Sequence, residues 1–359
     1  MTTLRYDQAQ LQLFACSLLE HAGLETDKAQ AVADVLVQGD LMGHDTHGLA
    51  QLAGYLGEIV SGSMRKAGAP EVLADFPAAV TWDGQRLPGP WLVLQAMALA
   101  TRRAATQGTC SVVIRRSHHI ACLAAYLQRA TDAGLMMILT CSDPNAASVA
   151  PFGGLDAVFT PNPISAGIPT SAAPLLLDVS TAATTNGLTN RLHQAGARLP
   201  APWVMDRYGA ISDDPAVLFG EPKGTILPLG GKAGGHTGYG LSLLVESLTG
   251  ALAGHGRADP PEGWGATVFL QIIDPRAFAG LAAFTRQTDH IVARCHASRP
   301  ATPGVPVRMP GEKGLRLMHE QEQHGVELHR GIMPALEPWA RKFGLVAPTA
   351  LQNVSSTRA

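Results

Sequence analysis

The chain has 359 residues, of which 46% are hydrophobic and 16% are charged, and its formal net charge is −2. This length suggests two domains. The charged fraction lies below the roughly 25% of ordinary soluble domains, which suggests that a second copy of the chain covers part of the surface. The small negative charge excludes the basic field of a nucleic-acid-binding protein, and no apolar run approaches the length of a membrane span.

The cysteine content indicates a reducing compartment. Five cysteines, an odd number without a CxxC pair, argue against a disulfide framework and against a cysteine-based zinc site. The first residues show no basic region followed by an apolar one, so we find no secretory signal. We therefore expect a cytoplasmic protein with reduced thiols.

The first sixty residues are predicted to form three helices. Leu11, Phe14 and Leu18 share one helical stripe, which ends at Gly23. Thr26 is predicted to cap the second helix, and the third covers residues 49–60.

The middle of the chain changes to an α/β pattern. A predicted helix over 90–108 precedes a β-rich run (110–117), a helix (120–134) and a buried run (135–142). Strand, helix and strand at this spacing predict a βαβ unit with a parallel sheet. Further strands are predicted within 157–169 and 174–181.

The last third returns to helices. The glycine-rich stretch 227–240 is predicted as a loop that leads into an amphipathic helix over 241–254, followed by a strand (266–275) and a helix (284–297). Helices are expected again from about 312 to 344. We therefore expect a helical domain built from both chain ends, residues 1–75 and 305–359, and an α/β domain of residues 76–304.

The glycine-rich stretch is a candidate anion site, because free N–H groups and the helix dipole meet at a helix N-terminus. No glycine lies at the P-loop spacing before Gly231 and Lys232, and no GxGxxG follows a strand. A flexible loop without a ligand is the alternative. Any nucleotide must therefore be bound by something other than the standard dinucleotide fold.

Polar residues follow two predicted strands. His118 and His119 come directly after the first strand, and Ser142 and Asp143 lie at the end of the second. Ligands collect at the carboxyl ends of parallel strands, so we expect neighbouring strand ends to bring His119 and Asp143 together as a general acid/base pair. Exposed loop histidines are the alternative.

The stretch GHDTHG (43–48) places two further histidines, His44 and His47, three residues apart. Positions i and i+3 share one side of a helix, so both could face one ion. Zinc requires three or four protein ligands, and the stretch is not HExxH, so we predict no metal site. A structural histidine and a substrate-contacting histidine are the two other interpretations.

Eight motifs resemble, in the same order, the malate/L-lactate dehydrogenase family of NAD(P)-dependent oxidoreductases. This group includes ureidoglycolate dehydrogenase, sulfolactate dehydrogenase and Δ1-piperideine-2-carboxylate reductase, and it is distinct from the Rossmann-type lactate dehydrogenases. The similarity runs over nearly the whole chain. The motifs are GHDTHG (43–48), SHHIACLAAY (117–126), SDP (142–144), PFGG (151–154), TPNPISAGIP (160–169), LLDVST (176–181), GYGLSLLVESLTG (238–250) and PGE (310–312).

The resemblance implies an α/β fold with a non-Rossmann NAD(P)-binding domain, a helical domain from both chain ends, and a homodimer. It also implies hydride transfer between NAD or NADP and a small 2-hydroxy or 2-oxo acid. Neither nucleic acid nor a membrane is an expected partner. The alternatives are a reductase of cyclic imines such as Δ1-piperideine- or pyrroline-2-carboxylate, a non-catalytic paralogue that binds a metabolite or cofactor, and a metal-dependent hydrolase.

The resemblance also implies roles for individual residues. His119 would be the general acid/base, and Asp143 would orient or polarise groups near the reacting centre. Thr46 and His47 would line the substrate pocket, and Tyr55, eight residues after His47, would join them. The implied cofactor contacts are Ser142, Asp178, Val179, Ser180, Trp264, Gly265 and Ala266.

Two positions depart from the family pattern. Gln51 stands where the family usually has an arginine that grips the substrate carboxylate. Thr237 stands where a lysine usually precedes GYGL, at the cofactor. Arg115 and Arg116 are candidates to hold the carboxylate instead, and Lys232 is a candidate to replace the lysine.

Overall fold

The computed structural model describes residues 4–351, which form two compact units. The helical unit comprises residues 4–67 with 312–351, and the sheet unit comprises residues 68–311. Residues 68–75 and 305–311, which the sequence assigns to the helical domain, belong to the sheet unit. One reason is that the Leu176 N–H donates to the Pro310 carbonyl at 3.1 Å.

The helical unit begins with the three predicted helices. Its elements are β1 (Arg5–Tyr6), α1 (Gln8–His21), α2 (Thr26–Leu41), a 3-10 turn (Leu49–Gln51) and α3 (Leu52–Ser61). The Asp7 carboxylate accepts the Gln10 N–H at 2.9 Å and caps α1. The prediction that Thr26 caps α2 is wrong by one residue. Glu25 occupies the cap position, where its side chain makes no capping bond, and Thr26 is the first helical residue.

The sheet unit alternates strands and helices. In chain order its elements are β2 (Glu71–Phe76), β3 (Ala79–Asp83), α4 (Gly89–Gln107), β4 (Thr109–Ser117), α5 (Ala124–Thr131), β5 (Met136–Ser142), β6 (Ile164–Ile168), β7 (Leu175–Val179), α6 (Asn186–Gln194), β8 (Val204–Met205), β9 (Ile211–Ser212), a 3-10 turn (Pro215–Leu218), β10 (Thr225–Ile226), α7 (Gly231–Glu246), a π-helical turn (Ser247–Ala251), β11 (Ala266–Ile273), a 3-10 turn (Pro275–Ala277) and α8 (Leu281–His296).

Three elements complete the helical unit. They are α9 (Glu312–His324), β12 (Val326–Glu327) and α10 (Ile332–Phe343). β12 pairs antiparallel with β1, so both ends of the chain meet in one small sheet. The Gln321 side chain is buried and donates to the carbonyls of Asp40 and Leu41, which joins α9 to the end of α2.

The large sheet has seven strands in the order β2-β3-β4-β11-β5-β6-β7. β11 lies between β4 and β5 and runs antiparallel to both. The prediction of a parallel βαβ sheet is therefore wrong in detail: β4 and β5 point the same way but do not pair. Within residues 4–351, the parallel pair in this sheet is β3 with β4. The α/β fold class is confirmed.

From residue 231 onward the glycine-rich stretch is helical and not a loop, because α7 already begins at Gly231. Glycine weakens a helix, but here it permits close packing. A Cβ on Gly238 would overlap the Leu229 backbone and the Thr181 carbonyl, so α7 lies directly against these two segments. Within residues 4–351, no helix combines the length and the apolar character needed to cross a membrane.

Candidate active site

One edge of the large sheet collects the predicted strand-end residues. Ser117 at the end of β4 is opposite Ala266 of β11, and Ser142 at the end of β5 is opposite Thr267. The sequence predicts that the two strand ends lie side by side. In the structure they instead flank the beginning of β11. Both still open onto the same edge, because β4 and β5 are each antiparallel to β11.

Trp264, just before β11, contacts both histidines that follow β4. Its ring centroid lies 5.0 Å from the His118 ring, edge-on, and 5.0 Å from the His119 ring, tilted by 30°. Gly265 follows with its backbone close to β4, since a Cβ there would lie 2.9 Å from the Ser117 carbonyl oxygen. The cofactor residues predicted at 264–266 therefore adjoin the predicted acid/base histidine.

The two histidines differ in chemistry. His118 is fully buried, and burial together with the charge of Arg86 lowers its pKa to about 3. His118 is therefore neutral at ordinary pH. His119 is half-buried, and its Nδ1 accepts the Ala121 N–H at 3.4 Å. Because this contact occupies Nδ1, Nε2 is the ring nitrogen that is left to face a ligand.

A strained turn holds Trp264 in place. Gln85, Arg86 and Arg116 have φ of 49°, 58° and 52°, a region that non-glycine residues rarely adopt. The Arg86 N–H donates to the Arg116 carbonyl at 2.6 Å, which ties the segment before α4 to the end of β4. The Arg86 guanidinium donates to the Trp264 carbonyl at 3.0 Å. Sequence reasoning did not find Arg86.

Arg115 and Arg116 bind carboxylates of the protein itself. Arg115 Nε lies 2.9 Å from a carboxylate oxygen of Asp83, and Arg116 Nη1 lies 3.3 Å from the same oxygen. Arg116 Nε also lies 2.9 Å from Glu262. Burial raises the pKa of Asp83, but the Gln85 N–H and the two guanidiniums outweigh it and hold the pKa below its usual value. These contacts argue against either arginine as the missing grip on a substrate carboxylate.

Asp143 follows β5 in a half-buried position. Burial raises its pKa above the usual value, although N–H groups of Asn145 and Gly265 and the charge of Arg257 act in the opposite direction. The Asn145 N–H donates to the Asp143 carboxylate at 2.9 Å. The neighbouring Ser142 is buried, and its hydroxyl donates to Glu246 at 2.8 Å.

The remaining predicted cofactor residues lie at the end of β7 and on α7. An Asp178 carboxylate oxygen accepts the Ala124 N–H at 3.0 Å at the start of α5, and Val179 is 44% exposed. The Ser180 hydroxyl donates to the Pro161 carbonyl at 3.0 Å. Thr237 is exposed, one residue before the glycine that packs on the Thr181 carbonyl. The fold thus brings α7 and residues 178–181 together, while Lys232 is exposed in the first turn of α7.

The predicted substrate residues of the helical unit form one local cluster. The Thr46 hydroxyl lies 2.8 Å from His47 Nδ1, and the Gln51 amide donates to the Thr46 carbonyl at 2.5 Å. Asp40 is buried and accepts the Leu49 N–H at 2.7 Å, which fixes the following turn. Tyr55 is fully buried on the apolar stripe of α3.

Comparisons with known proteins identify the class of protein to which this chain belongs. A model of the malate/L-lactate dehydrogenase family matches residues 6–337. The chain is 30% identical over 351 residues to malate dehydrogenase from Pyrococcus horikoshii, covering 95% of this chain and 96% of that one. It is also 30% identical over 352 residues to hydroxycarboxylate dehydrogenase B from Escherichia coli, covering 96% of both chains.

A solved structure agrees with these sequence matches. Sulfolactate dehydrogenase from Methanocaldococcus jannaschii superposes with a TM-score of 0.85 at 25% identity, over 95% of this chain and 98% of that one. The protein belongs to the malate/L-lactate dehydrogenase family. It is an oxidoreductase. Its family implies a nicotinamide cofactor and a small-molecule substrate. The comparisons favour neither the imine reductase nor the non-catalytic paralogue over a hydroxy acid dehydrogenase.

Proposed function

We propose that the protein transfers a hydride between NAD or NADP and a small 2-hydroxy or 2-oxo acid, as in malate and lactate. The relatives named as malate, hydroxycarboxylate and sulfolactate dehydrogenases support this substrate class. The observation that carries the proposal is His119, a half-buried strand-end histidine whose Nδ1 accepts a backbone N–H. That contact occupies Nδ1, which supports Nε2 as the nitrogen that exchanges a proton with the substrate.

In the proposed mechanism, His119 moves the proton. Reduction of a ketone needs a proton at the oxygen as a hydride reaches the carbon, and the nicotinamide, when bound, supplies that hydride. Protonated His119 donates a proton from Nε2 to the carbonyl oxygen during reduction and becomes neutral, and neutral His119 takes the hydroxyl proton at Nε2 during oxidation. In both of these reacting forms Nδ1 carries a hydrogen, so the ring gives up its contact with the Ala121 N–H. The Trp264 ring lies against the imidazole at 5.0 Å and limits its rotation.

Asp143 is proposed to orient groups next to the reacting centre. Its Gly265 contact connects the end of β5 to the residue after Trp264. Because burial raises its pKa, this carboxyl exchanges protons closer to neutral pH than an ordinary aspartate does. Asp143 therefore suits a site in which protons move during each turnover.

The surface at the end of β7 fits a nicotinamide nucleotide. Val179 exposes an apolar side chain, and Thr237 exposes a hydroxyl on α7, next to the residues packed on Thr181. Such a surface offers an apolar contact for a ring and a polar contact for ribose or phosphate. We propose Asp178, Val179, Ser180 and Thr237 as cofactor contacts, together with Trp264, Gly265 and Ala266. Because the hydroxyl of Ser142 is already bonded inside the protein, its proposed contact runs through the main chain.

For the helical unit, we propose that Thr46, His47 and Gln51 bind the substrate. The Thr46 hydroxyl and the His47 ring already share a hydrogen bond, so their orientations are coupled. His47 is also a proposed catalytic residue, through this coupled pair. Gln51 adds a neutral amide donor in place of a cation, which weakens any contact with a carboxylate.

We further propose a cytoplasmic homodimer. Leu243 and Leu244 near the end of α7 are 44% and 49% exposed, and Leu252 after the π-helical turn is 57% exposed. Large apolar side chains grouped on one helix are typical of an interface, and a second copy is the simplest partner. None of the five cysteines, all of which lie within residues 4–351, forms a disulfide bond, which suits a reducing compartment.

The proposed function is tested by turnover. The purified protein is incubated with a panel of 2-oxo acids and either NADH or NADPH, and absorbance is followed at the nicotinamide band. His119→Ala should lower kcat by roughly 10²–10⁴-fold without weakening cofactor binding. His290→Ala, at an exposed position on α8, is the matched control and should leave kcat unchanged. Wild-type turnover by the His119 variant would overturn the assignment.

A further inference from the structure

A partly buried polar network at the end of β5 adjoins the proposed site and contains two residues that the site does not use, Glu246 and Arg257. Glu246, the last residue of α7, accepts three hydrogen bonds on the same oxygen, Oε1. The donors are the Ser142 hydroxyl at 2.8 Å, the Asn162 amide at 2.8 Å and Arg257 Nε at 2.9 Å. One carboxylate thus joins β5, the segment before β6 and the segment after the π-helical turn.

Arg257 uses every nitrogen of its guanidinium in this network. Nη1 donates to the Ala146 carbonyl at 2.7 Å. Nη2 donates to the Ser142 hydroxyl at 3.1 Å and to the Asp143 carbonyl at 3.2 Å. Together with Nε on Glu246, the planar fork fixes both ends of residues 142–146.

A second branch reaches the same segment from Asn162. This residue is fully buried with a φ of 40°, a conformation that asparagine tolerates better than most residues. Its side-chain oxygen accepts the Thr160 hydroxyl at 2.7 Å, and the Thr160 oxygen in turn accepts the Asp143 N–H at 3.4 Å. The main chain of Asp143 is therefore held at its N–H by Thr160 and at its carbonyl by Arg257.

We infer that Arg257 and Glu246 are positioning residues, which hold residues 142–146 so that Asp143 keeps its place beside Gly265. Glu246 balances the charge of Arg257 and aims its fork at the two carbonyls. This inference rests on the proposed function, because it gives the network a catalytic purpose. Neither residue is inferred to touch the substrate.

A substitution of Arg257 that keeps its positive charge tests whether the geometry of its hydrogen bonds matters. Arg257→Lys keeps the cation but cannot reach Glu246, Ser142, Asp143 and Ala146 at once. A displacement of about 1 Å in an active site costs on the order of 10²-fold, so we expect kcat to fall by about 10- to 100-fold. KM for the 2-oxo acid should change by less than about threefold, because uniform binding of that substrate is preserved.

Arg276 offers a matched control at the opposite end of β11. It binds the Asp274 carboxylate at 3.1 Å and the Ala133 carbonyl at 3.2 Å. Arg276→Lys makes the same chemical change on the same kinds of partner. It should leave kcat within about twofold, since loss of such a surface contact costs little.

The glutamate provides a rescue test. Glu246→Gln keeps a carbonyl oxygen at the position of Oε1, whereas Glu246→Ala removes every acceptor. Glu246→Gln should therefore retain at least about tenfold more kcat than Glu246→Ala, in line with the loss of several charge-assisted bonds at once. Equal kcat in the two variants would overturn the role of Glu246.

Hydrogen exchange separates this inference from the proposed function, because it requires no turnover. In Arg257→Lys, a peptide covering residues 142–148 should exchange faster, while peptides within β4 and β11 keep their wild-type rates. An unchanged rate at 142–148, or a kcat equal to that of Arg276→Lys, would overturn the inference. If the wild-type protein turns over no 2-oxo acid while exchange at 142–148 still rises in the variant, the proposed function fails and the positioning contact stands.

Discussion

At the scale of single residues, His118 is the clearest case of a titratable group shaped by its surroundings. Burial, and then the charge of Arg86, lower its pKa to about 3, whereas an unfolded histidine titrates near 6.5. Between these values the unfolded chain binds a proton that the folded chain does not. The contribution of His118 to stability is therefore fully present above pH 6.5 and is lost as the pH falls toward 3.

A substitution at His118 tests this pH dependence. Between pH 7 and pH 4.5 the wild-type free energy of unfolding should lose on the order of 3 kcal/mol through this group. His118→Asn cannot titrate and should show a correspondingly shallower decline, measured by urea denaturation at both pH values. His290→Asn, at an exposed position, should follow the wild type. Parallel declines for the wild type and His118→Asn would contradict the lowered pKa.

Gln51 tests how the helical unit binds a carboxylate. Its amide donates to the Thr46 carbonyl, and the two candidate arginines bind Asp83 and Glu262 instead. Gln51→Arg should add a bidentate contact worth about 1.5–3 kcal/mol, a gain of roughly ten- to a hundredfold in kcat/KM for 2-oxo acids, mainly through KM. Gln51→Met, of similar length without a charge, should give no gain. If kcat/KM of the Gln51→Arg variant rises for none of the 2-oxo acids, the substrate carboxylate is held by another residue.

At the scale of elements, the start of α4 supports the histidine segment. A Cβ on Gly89 would overlap the carbonyl oxygens of both His118 and His119, so only glycine lets α4 approach this closely. Gly89→Ala should push residue 119 out of place. We expect a loss of about 1–3 kcal/mol in stability and a fall in kcat of about 10- to 100-fold.

Gly57 is a control with the opposite expected sign. It lies inside α3, and a Cβ there would meet no atom within 4 Å. Gly57→Ala should therefore raise stability by roughly 0.5–1 kcal/mol, because alanine is the better helix former. Thermal melting and kcat of both variants check the pair. A tolerated Gly89→Ala with full activity would show that α4 does not set the position of His119.

Local patterns predict elements well and their arrangement poorly. The apolar stripes of α1 and α3 and the β-rich runs of β4 and β5 were readable because they depend on neighbours in sequence. The position of β11 in the sheet could not be predicted, because its partners β4 and β5 come from far earlier in the chain. The helical character of the glycine-rich stretch was also hidden, since tertiary packing at Gly238 outweighs the low helix propensity of glycine.

The site shows the same division. Strand-end reasoning proposed His119 and Asp143, since a strand end is a local feature. It missed Glu246 and Arg257, which bind Ser142 across separations of 104 and 115 residues. It also proposed Arg115 and Arg116 as candidates to hold the substrate carboxylate, because the sequence does not reveal that Asp83 is buried beside them. Charge partners are a property of the folded chain.

At the scale of the whole molecule, the exposed leucines of α7 test the proposed homodimer. Leu244→Lys places a charge among Leu243 and Leu252, where burial against a second copy would be costly. Light scattering after size exclusion should show twice the chain mass for the wild type and a shift toward the single chain for the variant. Leu13→Lys, at a 70% exposed position on α1, should not alter the mass. A wild-type protein at single-chain mass would contradict the dimer.

The central position of β11 has a consequence for how the chain folds. The hydrogen bond from the Thr109 hydroxyl to the Ile272 carbonyl spans 163 residues, and β11 supplies the facing partner for both β4 and β5. During synthesis these two strands leave the ribosome long before β11 exists, so each keeps an unpaired edge until the chain has grown past residue 273. Such distant pairings slow folding, because the entropy of loop closure opposes them until the contacts form. We therefore expect this sheet to be completed in a late step. Chains that stop before residue 266 should lack both the middle of the sheet and the ordered edge at which His119 and Asp143 lie.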